Sequence, residues 1–91
     1  RIEIGRLEIH ARYDGHVYVG GWLQPRWWGF RGIDFRVELR DAGGSIIATK
    51  TGCSYPTGRP QLIVQFGVPY VVSFTTAQIN QGASVAIRYL N

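Results

Sequence analysis

Apolar and charged residues alternate without a fault between residues 33 and 40. The apolar positions are Ile33, Phe35, Val37 and Leu39, and each position between them carries a charge. Because successive side chains of a strand point to opposite faces, the pattern predicts a strand with one face in a core and one in water. The turn-forming residues 41–44 follow and contain two glycines, so we expect a return strand over residues 45–51.

A second alternating run lies near the beginning of the chain and places Leu7, Ile9, Ala11 and Tyr13 on one face of a strand. Ile2 and Ile4 have the opposite parity. A bulge or break at Gly5 would let both apolar sets face the core. Asp14-Gly15 is a strong signal for a tight hairpin, and it leads into a predicted strand over residues 16–23.

The second half of the chain repeats this arrangement of strands and turns. Residues 52–60 read as an irregular loop, and strands are predicted over residues 62–66, 68–76 and 83–90. Residues 77–82 have room for one helical turn only. About seven short strands without a crossover helix predict a single all-β domain over residues 1–91, an antiparallel β-sandwich of the immunoglobulin-like kind, with a small closed or partly open β-barrel as the alternative.

Composition agrees with a small folded domain. The chain has 91 residues, of which 45% are hydrophobic and 18% charged, an ordinary globular composition. No apolar run approaches the roughly 18 residues that span a bilayer, so we expect no transmembrane segment. Cys53 is the only cysteine, which rules out an internal disulfide or a cysteine-based metal cluster, and we expect a plain buried or half-buried thiol.

Part of the chain resembles a known family. The central hairpin reads Phe35-Arg-Val-Glu-Leu-Arg-Asp-Ala-Gly-Gly-Ser-Ile-Ile-Ala48, and the closing strands read Val71-Val-Ser-Phe74 and Ala83-Ser-Val-Ala-Ile-Arg-Tyr89. Together these stretches resemble bacterial immunoglobulin-like domains of the FxLYD type. The resemblance implies a β-sandwich that serves as an accessory module of an exported or cell-envelope protein. It supplies no catalytic residues.

The most informative segment for function combines all three tryptophans with two arginines. It supplies six candidate ligand-binding residues: Trp22, Arg26, Trp27, Trp28, Phe30 and Arg31. Aromatic faces stack on sugar rings or bases, and arginine adds cation–π contacts and pairs with anions. The competing interpretation is structural, with Trp22 as a central core residue and the other rings covering an open end of the sandwich.

Other constellations give little support for an enzyme. His10 and His16 flank the Asp14-Gly15 turn, and a metal shared with Asp14 would need further ligands, so we expect no metal site. Asp34 and Glu38 lie on one strand face about 13 Å apart, too far for a glycosidase-like carboxylate pair. Their expected partners are the interleaved Arg36 and Arg40. The sequence therefore predicts no catalytic residues and no cofactor.

The net charge of +4 permits an anionic partner without requiring one, because the basic residues are scattered along the chain. The favoured hypothesis is a non-catalytic module that binds another protein domain or a glycan in an extracytoplasmic setting: the periplasm, the cell surface or the secreted space. A purely structural module, including a homo-oligomer, is the first alternative. A barrel-type binder of single-stranded nucleic acid is the second.

Overall fold

The computed structural model describes residues 2–24, 32–55 and 67–90. These residues form two antiparallel sheets, with strand orders β1-β7-β4-β5 and β2-β3-β6. The predicted all-β sandwich is confirmed, and the two sheets do not close into a barrel. The elements are β1 (Ile2–Arg6), β2 (Ile9–Tyr13), β3 (His16–Leu23), β4 (Ile33–Arg40), β5 (Ile46–Ser54), β6 (Val68–Thr75), α1 (Thr76–Gln81) and β7 (Ser84–Tyr89).

The core lies between the two sheets and follows the alternation in the sequence. The apolar residues of β4 point inward as predicted, and Val37 and Leu39 are fully buried. Burying an aliphatic side chain of this kind contributes about 1.5–3 kcal/mol, so these positions fix which face of the sheet turns inward. The three-stranded sheet faces them with Val17, Val19, Leu23, Val68, Tyr70 and Phe74.

The predicted hairpin turns form as their residues require. Asp14 and Gly15 both have positive φ, 52° and 76°, the backbone geometry of a two-residue turn between twisted strands. In the turn after β4, the Asp41 carboxylate accepts hydrogen bonds of 3.0 Å from the amides of Gly43 and Ser45. The Asx-type bonds hold the short loop that returns the chain into β5.

The expected single helical turn becomes a six-residue helix, α1. Thr75 caps it: the Thr75 hydroxyl accepts a hydrogen bond from the Gln78 amide, and the Gln78 side-chain oxygen accepts one from the Thr75 amide, which completes a capping box. Ile79 anchors the helix in the core at 5% exposure. Within the described residues, no helix has the length and apolar character needed to cross a membrane.

The first strands differ from the prediction that all their apolar residues face the core. The chain leaves β1 at Leu7 and Glu8, not at Gly5, and changes sheets there, because β1 pairs with β7 whereas β2 pairs with β3. Ile4 of β1 is 67% exposed, and Tyr13 of β2 is 75% exposed. Both side chains point away from the core: Ile4 shares the outward parity of Arg6, and the register shift in β2 puts Tyr13 on the outward side with His16.

One predicted strand ends later in the structure than in the sequence pattern. The return strand β5 continues to Ser54, past the predicted end at Thr51, because its partner β4 extends back to Ile33 and the two pair along their whole length. The strand predicted over residues 62–66 lies outside the described residues.

Candidate binding face

The outer face of the three-stranded sheet carries Trp22. Alternation along β3 turns residues 16, 18, 20 and 22 away from the core, and Trp22 is 55% exposed opposite Pro69 of β6. The interpretation of Trp22 as a central core residue is therefore wrong. Its indole is at the surface because the even-numbered positions of β3 point outward, whereas Leu23 next to it is fully buried.

Further rings and apolar groups lie on the same face. We call it the aromatic face and define it by Tyr13, Tyr18, Trp22, Pro69 and Val71. Tyr18 is half-buried and stands four residues from Trp22 on β3, about 13 Å by strand rise. Tyr13 lies diagonally across from Tyr18 on the neighbouring strand, at a distance of about 7–8 Å. The three rings thus run along the sheet in one direction.

A bulge in β2 places a histidine between those rings. The register shifts between Ile9 and Ala11, so His10 is an extra residue in its strand. The imidazole Cε1 of His10 comes within 3.3 Å of the position that a Cβ on Gly20 would occupy. His10 therefore covers the glycine that separates Tyr18 from Trp22.

The close approach at Gly20 makes a testable prediction about this face. A Cβ there would lie 2.7 Å from the backbone oxygen of Tyr70, a contact that neither strand can relieve by rotating a side chain. We expect Gly20→Ala to lower the free energy of unfolding by about 1–2 kcal/mol through overpacking. Chemical denaturation measures the change. The matched control is Gly5→Ala, where nothing lies within 4 Å of the added Cβ; equal loss in both variants would contradict the packing argument.

The described part of the aromatic face carries no aspartate, glutamate, lysine or arginine at its outward positions on β3 and β6. Those positions hold His16, Tyr18, Gly20, Trp22, Pro69, Val71, Ser73 and Thr75. Rings therefore alternate with hydroxyl and imidazole groups that donate and accept hydrogen bonds. Such a surface suits a ligand with apolar faces and neutral polar edges.

The chain after Trp22 is held by the other sheet. The Gln24 amide donates a 2.7 Å hydrogen bond to the Tyr89 hydroxyl, and this hydroxyl donates to Glu3 Oε2 at 3.2 Å. These bonds fix the point where β3 ends and the aromatic and basic segment begins. The remaining candidates, Arg26, Trp27, Trp28, Phe30 and Arg31, lie outside the described residues.

The histidines do not converge with Asp14 as a shared metal site requires. His10 lies over Gly20, whereas His16 is four residues from Gly20 on the same strand, about 13 Å away. Among the described residues, no three His, Cys, Asp or Glu side chains are grouped so that they could hold a metal ion. Tyr13 is the residue paired with His16, and His10 lies three residues before Tyr13, so the hairpin itself keeps the two imidazoles apart.

Cys53 is exposed, whereas the sequence predicted a buried or half-buried thiol. Its sulfur packs against Gly32, 2.6 Å from where a Cβ would stand. Loss of solvent around the sulfur and the nearby Asp34 carboxylate raise the pKa of the Cys53 thiol. The thiol therefore stays protonated at neutral pH, the opposite of an activated nucleophile.

Sequence reasoning missed an ion-pair cluster on the opposite side of the molecule. Glu38 was expected in water, yet it is 2% exposed and binds Arg40 at 2.7 Å and Arg88 at 3.1 Å. The predicted pairing of Glu38 with Arg40 is confirmed, whereas Arg36, the other expected partner, makes no ion pair with a described residue. The hydrogen bond from Arg40 is the main cause that lowers the pKa of Glu38, and the Arg88 guanidinium adds to it. Arg88 comes from β7, a contact that no local pattern reveals.

No protein-family model, curated protein or solved structure matches this chain. The chemistry of its own surfaces is therefore what indicates function. Two surfaces stand out, the uncharged aromatic face and the arginine cluster around Glu38, and they lie on different sheets.

Proposed function

We propose that this protein is a non-catalytic binding module whose aromatic face recognises a neutral glycan. The observation that carries the proposal is the 55% exposure of Trp22 on a sheet face whose described outward positions on β3 and β6 carry no charged side chain. A large apolar ring costs stability when it stays in water, and an exposed patch of such rings marks a recognition surface more often than chance placement. Trp22 is the ring with the most area to offer.

The arrangement of the rings supports a sugar over other ligands. A saccharide presents C–H groups on its ring faces and hydroxyls at its edges, so it needs flat aromatic platforms with hydrogen-bonding groups between them. Tyr18 and Trp22 supply platforms about 13 Å apart, and His10 and Ser73 lie beside them. The spacing suits an extended oligosaccharide that lies along β3.

Single-stranded nucleic acid fits this face less well. Binding of nucleic acid combines stacking rings with arginine or lysine against the phosphates. The aromatic face has the rings, but its described outward positions on β3 and β6 hold neither arginine nor lysine. A protein partner is the closer alternative, because the same face also carries the apolar side chain of Val71, which is 59% exposed.

The setting of the module is part of the proposal. The resemblance of residues 35–48 to bacterial FxLYD-type domains is what supports an accessory role in an exported or cell-envelope protein. Arg26, Trp27, Trp28, Phe30 and Arg31 remain predicted contributors, since their segment continues directly from the strand that carries Trp22.

Replacing Trp22 tests the proposal. We expect Trp22→Ala to weaken binding of a neutral oligosaccharide at least about tenfold, because losing the buried area of one such ring costs about 1.5–3 kcal/mol. The wild-type domain is first screened on an array of neutral oligosaccharides. Isothermal titration calorimetry with the best binder then measures the affinity of both proteins.

The matched control is Tyr55→Ala, which removes an aromatic ring that is 63% exposed at the end of β5, on the other sheet. Its affinity should equal that of the wild type. Circular dichroism of both variants separates lost binding from lost folding. Absence of any glycan binding by the wild-type domain, or equal weakening by the two substitutions, would overturn the proposal.

A further inference from the structure

The outer face of the four-stranded sheet gathers four arginines from three strands, and we call it the basic face: Arg6, Arg36, Arg40 and Arg88. Pairing in the sheet sets their positions. Arg36 lies directly opposite Arg88. Four residues away along β7, Ser84 is paired with Arg40 on one side and with Arg6 on the other. Sequence alone leaves these residues scattered, because 82 positions separate the first from the last.

Acidic side chains offset only half of this charge. Asp34 and Glu38 occupy the same face of β4, which leaves a net charge of about +2 there. Glu38 engages Arg40 and Arg88. Arg6 and Arg36 make no ion pair with any residue in the described ranges.

The pairing of Arg36 with Arg88 is unfavourable for the isolated domain. Cβ atoms of directly opposed residues are about 4.5–5.5 Å apart, and like charges at that separation destabilise a sheet. Glu38 meets Arg88 through Nε at 3.1 Å and leaves the outer nitrogens of that guanidinium available. A carboxylate placed between Arg36 and Arg88 would relieve the repulsion and accept hydrogen bonds from both.

Exposed aliphatic residues adjoin the arginines. Ile2 is paired directly with Arg88, and Ile4 lies two residues along the same edge strand at 67% exposure. Arginine beside apolar surface is the composition of protein–protein interfaces. Nucleic acid would need stacking rings beside the arginines, and the described outward positions on β1, β4 and β7 hold none. A second copy of the chain would bring a face of the same sign.

We propose that the basic face binds an acidic segment of another protein, with a carboxylate between Arg36 and Arg88 and an apolar side chain against Ile2 and Ile4. The aromatic face lies on the other sheet, so this surface does not depend on the glycan proposal. The module would then connect two partners through its two outer faces.

The test uses a fluorescent synthetic peptide of repeated Glu-Leu-Glu-Thr, with the anisotropy of the peptide measured against the full chain. We expect the double substitution of Arg6→Gln and Arg36→Gln to weaken binding at least about tenfold, since both arginines lie outside the Glu38 cluster and leave the fold intact. Binding should also disappear near 1 M salt, where the Debye length is about 3 Å. A peptide with serine in place of leucine should bind more weakly.

The matched control is the double substitution of Arg12→Gln and Lys50→Gln, which removes two charges away from the basic face, on β2 and on the opposite face of β5. It should retain wild-type affinity. Equal weakening by both double variants would overturn the proposal, because binding would then follow net charge alone. Tighter binding of anionic lipid vesicles or of oligothymidylate through Arg36 would overturn it as well, since the occupant would not be a protein segment.

Discussion

Phe74→Ala is expected to lower the free energy of unfolding by about 3–5 kcal/mol, the range for removing a phenylalanine from a core. Phe74 is 1% exposed and is the largest of the fully buried side chains in the described residues. It projects from β6 into the layer between the sheets, where Val17 lies opposite it. A cavity there removes contacts from both sheets at once.

Such a loss is large for a domain of this size, whose whole stability is on the order of 5–10 kcal/mol. The measurement is urea denaturation followed by circular dichroism. Val71→Ala is the control on the same strand, because Val71 points outward at 59% exposure and should change stability by no more than about 0.5 kcal/mol. Similar losses in both variants would contradict the assignment of inward and outward faces on β6.

The central strands could be predicted because a strand with a neighbour on each side shows a clear alternation of apolar and charged residues. β4 lies between β7 and β5, so every charged position on it is confined to one face and every apolar position to the other. The Asp14-Gly15 turn was equally readable, since few residue pairs adopt positive φ at both positions. In these places local preference and tertiary packing agree.

Edge strands were harder to predict, for a physical reason. The pattern of β2 resembles a half-buried strand, yet β2 has one neighbour and a bulge at His10 that changes its parity. All five of its residues are exposed. Periodicity reports which side chains share a face, but it does not report whether a second layer covers that face.

The candidate site divides in the same way. The three tryptophans lie close together in the sequence, which made Trp22 a candidate for a binding surface. The competing interpretation, Trp22 as a core residue, depended on whether the odd or the even positions of β3 face inward. Tyr13, Tyr18 and His10 were not identified as companions, because their proximity to Trp22 depends on the pairing of β2 with β3 and on the bulge. The alternating Tyr18 and Trp22 on one strand were the signal that could have found part of the face.

Glu38→Gln should lower the free energy of unfolding by about 2–3 kcal/mol at neutral pH. The substitution keeps the shape of the side chain but leaves Arg40 and Arg88 facing each other without a negative charge. Removing one partner of a fully buried pair costs about 3–5 kcal/mol. The arginine side chains keep 20% and 43% exposure, so water compensates part of the loss.

The pH dependence of this effect has a definite sign. Folding lowers the pKa of Glu38, chiefly through the hydrogen bond from Arg40, so the folded state favours the ionised carboxylate more than the unfolded state does. The stabilisation is therefore complete above the pKa of an unfolded glutamate, about 4.3, and is lost as the pH falls through the lower pKa of the folded state. The stability difference between wild type and variant should shrink below about pH 5.

Denaturation curves of both proteins between neutral and acid pH measure that difference. Glu8→Gln is the matched control, because Glu8 is exposed between β1 and β2, and at neutral pH it should have the stability of the wild type. A difference that stayed constant into acid would show that Glu38 contributes through packing and not through its charge.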